Sequence, residues 1–172
     1  MIARLLLLSV LLLPIHAAEA AKKTHPPKHA TPTKALELTP EGLQTGMKKY
    51  IQEEADCRST DFGKIVPLKG ARIRQQLERE GAKVNMVLDV AQSGQLTNIR
   101  FAAEVKDQAH LTLMLCATYA TMRTLQPTAQ PPGTVKSTVL QLWQDAQQKP
   151  SAKPFYSSTL KAQMTPFELN VY

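Results

Sequence analysis

The fold of this chain turns on the stretch Lys83-Val84-Asn85-Met86-Val87-Leu88-Asp89-Val90-Ala91-Gln92-Ser93-Gly94-Gln95-Leu96-Thr97-Asn98-Ile99-Arg100-Phe101-Ala102. Successive strand side chains point to opposite faces, so Val84, Met86, Leu88 and Val90 share a face that can bury. Between Ala91 and Gln95, Gly94 can supply the positive φ of a hairpin turn, and Leu96 to Ala102 returns with Ile99 and Phe101 on a common face. The stretch predicts a β-hairpin. Beyond it Asp107 is placed to cap a helix, and Leu111, Leu115, Tyr119 and Met122 recur at intervals of three and four, with Leu125 prolonging the stripe before Pro127. A strand, strand, helix unit results.

Upstream, Thr39-Pro40-Glu41 combines an N-cap, a proline at the first helical position and an acid near the positive end of the helix dipole. Leu43, Met47, Tyr50 and Ile51 then form an apolar stripe, so a packed amphipathic helix is predicted here. Asp61 to Gly70 reads as a loop with one brief extended segment around Ile65, Val66 and Leu68. Ala71 to Glu80 reads as a helix, with Ile73 and Leu77 inward, Arg72, Arg74, Glu78, Arg79 and Glu80 outward, and Gly81 as its C-cap.

Downstream, Gln126 to Gly133 holds Pro127, Pro131 and Pro132 and reads as a loop. Thr134 to Trp143 is rich in β-branched residues and predicts a third strand, with Val135, Val139 and Trp143 on one face and Leu140 and Leu142 on the other. Ala146 to Lys153 is polar, and Phe155 to Tyr172 reads as a tail in which Phe167, Leu169 and Val171 alternate as a short terminal strand. The fold class expected is α+β: a three-stranded antiparallel sheet packed against helices, with an added N-terminal helix.

The first residues read as an address. Arg4 gives a positive start, Leu5 to Leu13 is shorter than the ~20 residues of a membrane-spanning helix, and Ala18-Glu19-Ala20 fits small-x-small cleavage. Residues 1–20 are therefore expected to be a signal peptide that delivers the chain to the periplasm. Residues 21–38, rich in Lys, Pro and Thr, are expected to be a disordered linker, residues 39–145 a single domain and residues 146–172 a C-terminal tail. An oxidising compartment favours a disulfide between the chain's 2 cysteines, Cys57 and Cys116.

The net charge is +7, and Arg4 and Glu19 cancel in the expected leader, so the processed chain stays basic. Anionic membrane or peptidoglycan could meet such a surface weakly, whereas nucleic acid is not an expected partner in that compartment. No nucleophile elbow, zinc-protease motif, phosphate loop or dinucleotide fingerprint occurs. His25 and His29 are separated by prolines that deny them helical spacing, and His110 reads as a surface or satisfied residue rather than a general base. Asp56 and Asp61, or Glu78 and Glu80, read as caps and charged faces rather than as catalytic pairs. The chain is read as a non-enzyme without metal or cofactor.

Leu115-Cys116-Ala117-Thr118-Tyr119-Ala120, leading through Met122, Leu125 and Pro127 to Pro131-Pro132, resembles the cysteine-bearing helix and proline loop of the TolA carboxy-terminal domain family, and more distantly that of TonB. Val87-Leu88-Asp89-Val90 with Ser93-Gly94-Gln95-Leu96 is similar to that family's first hairpin. The likeness spans roughly Arg72 to Trp143, while Cys57 lies upstream of the family's other cysteine. It implies a domain that takes an extended partner segment against a sheet edge. On that reading the edge is Thr134 to Trp143, with Val135, Ser137, Val139, Gln141 and Trp143 as partner-binding positions. The expected function is a monomeric, non-catalytic periplasmic module that binds an envelope protein or a toxin segment by strand addition. The alternative is a periplasmic inhibitor or immunity protein against a secreted toxin.

Overall fold

The computed structural model describes residues 35–128 and 131–172. The expected signal peptide, His25, His29 and most of the expected linker lie outside the described residues. The chain runs α1 (Pro40–Glu53), a short 3-10 turn (Ala55–Cys57), β1 (Asp61–Phe62), β2 (Val66–Leu68), β3 (Arg72–Arg79), β4 (Ala82–Val90), β5 (Leu96–Ala102), α2 (Gln108–Leu125), α3 (Pro132–Gln148), β6 (Ser151–Phe155), β7 (Ser158–Met164) and β8 (Phe167–Val171). One antiparallel sheet of 8 strands has the order β1-β3-β4-β5-β8-β7-β6, with β2 also paired to β3. The α+β class stands, but the sheet is not three-stranded.

The central hairpin forms as its alternation dictates. Met86 lies opposite Phe101 and Leu88 opposite Ile99, all four buried. Gly94 takes φ +83 in the connecting turn, closed by Ala91 N–H to Gln95 O at 2.8 Å. Both predicted N-caps are present: the Thr39 hydroxyl accepts from Gly42 N–H and the Asp107 carboxylate from His110 N–H.

Ala71 to Glu80 is the first correction, because it holds strand β3 and not a helix. Ile73 and Leu77 are four apart, which satisfies a strand face as well as a helix stripe, and buried Gln75 lies between them on the same face. The decision falls at Glu80-Gly81, whose φ values of 50 and 84 make a two-residue turn and fold β3 back on β4. Gly81 ends a hairpin, not a helix.

Thr134 to Trp143 is the second correction, because it lies within α3. Pro132 occupies the first turn, and Val135, Val139, Leu142, Trp143 and Ala146 are the buried positions, a helical spacing that β-branched Thr and Val had disguised. Trp143 locks the helix in place. Its indole N–H donates to Thr118 Oγ1 at 3.0 Å, and its ring meets Phe167 edge to face at 5.4 Å.

The third correction concerns the ends of the domain. Leu36 N–H donates to Leu96 O and Leu96 N–H to Leu38 O, so ordered chain begins before Thr39. At the other end the expected tail forms β6, β7 and β8, and β8 pairs with β5 to complete the sheet. Phe167, Leu169 and Val171 alternate inward as read, and all three are buried.

Strand residues of one parity bury beneath the helices, among them Leu77, Val84, Met86, Leu88, Ile99, Phe101, Leu160, Ala162, Leu169 and Val171. Each large apolar side chain taken fully from water stabilises the fold by about 1.5–3 kcal/mol. α2 packs on this face and against α1 and α3, and between Leu113 and Arg123 only Leu115 escapes burial. Such closeness requires a small partner on α1: a Cβ placed on Gly46 would stand 2.3 Å from Thr124 Cγ2. Gly46→Ala should therefore destabilise the protein by about 1–3 kcal/mol in urea unfolding, reversing the helix-propensity gain of up to ~1 kcal/mol that alanine ordinarily gives.

Candidate functional site: a cleft over the disulfide

The five residues expected to line a partner-binding edge do not share an edge. Val135, Val139 and Trp143 point into the core, while Ser137 and Gln141 are exposed on α3. Ser137 Oγ donates to Gly133 O at 3.0 Å, and the Gln141 side-chain amide donates to Asp145 at 2.7 Å. The actual sheet edges lie elsewhere and are poorly built for pairing. At one end β1 and β2 are short, and a bulge separates them: four steps from Phe62 to Val66 face three from Leu77 to Arg74. At the other end lies β6. Pro67 and Pro154 remove a backbone donor from each edge, and Lys153 of β6 is tied to Asp145 at 2.8 Å.

The disulfide does form. Cys57, at the end of the 3-10 turn, is bonded to Cys116 in α2, with Cα atoms 5.7 Å apart. It lines a cleft of about 210 Å³ between the 3-10 turn, α2 and α3, together with Glu54, Asp56, Thr112, Leu115, Tyr119, Lys136, Val139 and Leu140. The lining is mainly apolar. Leu140 stands on its lip, 50% exposed.

One wall is a fixed polar chain. Lys136 Nζ donates to Glu54 at 2.6 Å, Tyr119 Oη is hydrogen-bonded to Glu54, and Arg123 Nη1 donates to Tyr119 Oη at 3.0 Å. The Arg123 guanidinium is buried and lies 4.5 Å from the Tyr50 ring centre, which supplies the aromatic face that a desolvated cation needs. Burial, reinforced by the Glu54 carboxylate, pushes the Tyr119 hydroxyl above its usual range. The hydrogen bond to Glu54 raises Lys136 likewise. Neither shift makes an acid or base poised near neutral pH, since both hold the groups in their ordinary protonation states.

His110 is satisfied through both ring nitrogens. Nδ1 lies 2.7 Å from Asp107, and Nε2 accepts from Lys83 N–H at 3.3 Å, which assigns the ring proton to Nδ1. Among the described residues no group of three His, Cys, Asp or Glu side chains is placed to hold a metal ion, and no helix is long and apolar enough to cross a membrane.

Of this cleft, the sequence indicates the two cysteines and Val139, the last as a strand-edge position rather than as part of a helix. Tyr119 was legible only as part of an apolar stripe, and Glu54, Lys136, Arg123 and Leu140 carried no signal of convergence. One signal was available: with α3 read as a helix, Leu140 is the leucine that falls off the buried stripe. In comparisons with family models, curated protein sequences and solved structures, none matches this chain. The resemblance to the TolA carboxy-terminal domain thus gains no support from relatives.

Two outcomes test this geometry. The bridge closes a sequence separation of 59, so the Cys57→Ser, Cys116→Ser variant should lose about 4 kcal/mol of unfolding free energy in urea by loop-closure entropy. The raised values at Tyr119 and Lys136 contribute stability that is present below the unfolded values of about 10 and is lost as pH rises through the folded ones. The urea midpoint should fall on raising the pH from 9 to ~11, and Tyr119→Phe with Lys136→Met should flatten that fall.

Proposed function

We propose that this chain is a non-catalytic protein-binding module of the bacterial periplasm that docks a partner into the cleft over the Cys57–Cys116 disulfide. The observation that carries the reading is the half-exposed Leu140 beside an apolar recess lined by Leu115, Val139 and the disulfide. Solvent-facing apolar lining of this kind gains free energy only when something covers it. About 210 Å³ is smaller than the ~300–1,000 Å³ usual for small-molecule pockets, and it suits one apolar anchor side chain of a protein partner. Glu54, Asp56 and Lys136 would form the polar rim that such hot spots carry.

The disulfide is compatible with an oxidising compartment such as the periplasm. Docking between helices replaces the strand addition first expected, because the intended edge is a helix and both true edges carry proline. A periplasmic inhibitor that plugs a toxin would use the same recess, with the toxin as its partner.

Site-specific photocrosslinking in living cells tests the reading. A crosslinker at position 140 should yield one discrete adduct that a crosslinker at exposed Gln92 in the turn between β4 and β5 does not give. Asp56→Lys, which reverses a rim charge at an exposed position, should reduce the adduct at least several-fold without lowering the level of folded protein. Equal adducts from both positions, or none from position 140, would remove the cleft as the interface.

A further inference from the structure

The sheet also has a second face. Residues of the parity opposite to the core have no described helix packed on them, and the ladder arranges their charges in a pattern that the cleft does not use. Across the middle of this face Arg74 lies opposite Val87, Val87 opposite Arg100, Arg100 opposite Asn170, and Asn170 opposite Lys161. Neighbouring strands are ~4.8 Å apart, so the cations stand on every second strand, at intervals of about 10 Å. No acid interrupts this row. Arg100 is bridged at 2.7 Å by Glu168 of the next row yet keeps its side chain 49% exposed. Arg74 and Lys161 are exposed and have no ion-pair partner among the described residues.

The row on the other side brings an aromatic ring and the Asn98 amide, which donates to the Asp89 carboxylate beside it at 3.1 Å. Ile99 pairs with Val171, so Asn98 and Tyr172 follow them on the open face by alternation. Tyr172 is fixed there by exchanging backbone hydrogen bonds with Thr159 at 2.8 and 3.2 Å, and it is 46% exposed. Cations on alternate strands, with Val87 and then Asn170 between them, the carboxylates of Asp89 and Glu168 held by Asn98 and Arg100, and one exposed ring describe a surface for a polymer that carries widely spaced anions and many hydroxyls. A bilayer is the poorer match, because Val66 at the β2 end is the one exposed large aliphatic side chain of this row. Single-stranded nucleic acid would call for several stacking rings, where this face presents one.

We propose that the open sheet face binds a carboxylated glycan: Arg74 and Lys161 pair with its carboxylates, Arg100, held by Glu168, lies between them, Asn170 hydrogen-bonds its hydroxyls, and Tyr172 lies against a sugar ring. The unpaired cations of this face attract such a polyanion, and guanidinium to carboxylate pairing fixes it there. The site is independent of the cleft, so either can fail without the other.

The test is titration calorimetry of the full chain with a soluble oligosaccharide of alternating glucuronic acid and N-acetylglucosamine. Parallel titrations use its carboxyl-reduced form, phosphatidylglycerol vesicles and a single-stranded oligonucleotide. Binding to the acidic oligosaccharide should weaken with salt and vanish on carboxyl reduction. It should fall about tenfold or more in the Arg74→Gln, Lys161→Gln variant, whose substitutions are at exposed positions. Tyr172→Ala should weaken it several-fold while leaving the salt dependence unchanged. No binding to the oligosaccharide, binding that survives the double substitution, or tighter binding of vesicles or oligonucleotide through the same residues would each overturn the proposal.

Discussion

Everything in this fold is arranged around the burial of α2. Between Leu113 and Arg123 the helix meets α1, α3 and the sheet, so nearly every side chain in that run is withdrawn from water. Polar groups there must find partners inside, since an unpaired buried hydroxyl or guanidinium costs more than its hydrogen bond returns. Thr118 donates to Met114 O at 2.6 Å and accepts from the Trp143 indole, while Thr124 donates to Ala120 O at 2.7 Å. Arg123 meets this requirement in part: it lies over Tyr50 and donates from Nη1 to Tyr119, while its Nε is buried without a hydrogen-bond partner among the described residues.

The same burial produces the cleft. Leu115 is the residue of that run left partly open, and it lies next to Cys116, whose bond to Cys57 brings the 3-10 turn against α2. That turn carries Glu54 and Asp56 to the rim, and α3 supplies Lys136, Val139 and Leu140 opposite them. Core packing and the lining of the cleft therefore meet on adjacent residues of one helix. Tyr119 is the clearest example: its ring helps to fill the core and its hydroxyl joins Arg123 to Glu54.

Opposite requirements shaped the two faces of the sheet. The inner face needs mostly apolar side chains across five adjoining strands, and it has them from Leu77 in β3 to Leu160 in β7, while buried Gln75 on that face is satisfied by donating to Gly63 O at 2.8 Å. The outer face needs only to stay hydrated. There Glu168 bridges Arg100, Gln163 adds a hydrogen bond to Glu168 at 2.7 Å, and Arg74 and Lys161 have no ion-pair partner among the described residues.

The sequence by itself determined the features that depend on local order. Thr39-Pro40 and Asp107 started helices because capping is a local hydrogen bond, and Val84 to Phe101 formed a hairpin because period-two alternation and Gly94 agree. Pairing of Cys57 with Cys116 needed only their number and the expected compartment. Tertiary structure decided what local order leaves degenerate. Ile73 and Leu77 suit a strand or a helix, and the turn at Glu80-Gly81 with the pairing partner β4 selected the strand. Val135, Val139 and Trp143 suit either state as well, and burial of Leu142 and Ala146 against the sheet selected the helix. The cleft and the row of cations were beyond any local reading. Each gathers residues far apart in the chain, Glu54 with Lys136 and Arg74 with Lys161, and only the completed packing of helices on sheet brings such residues together.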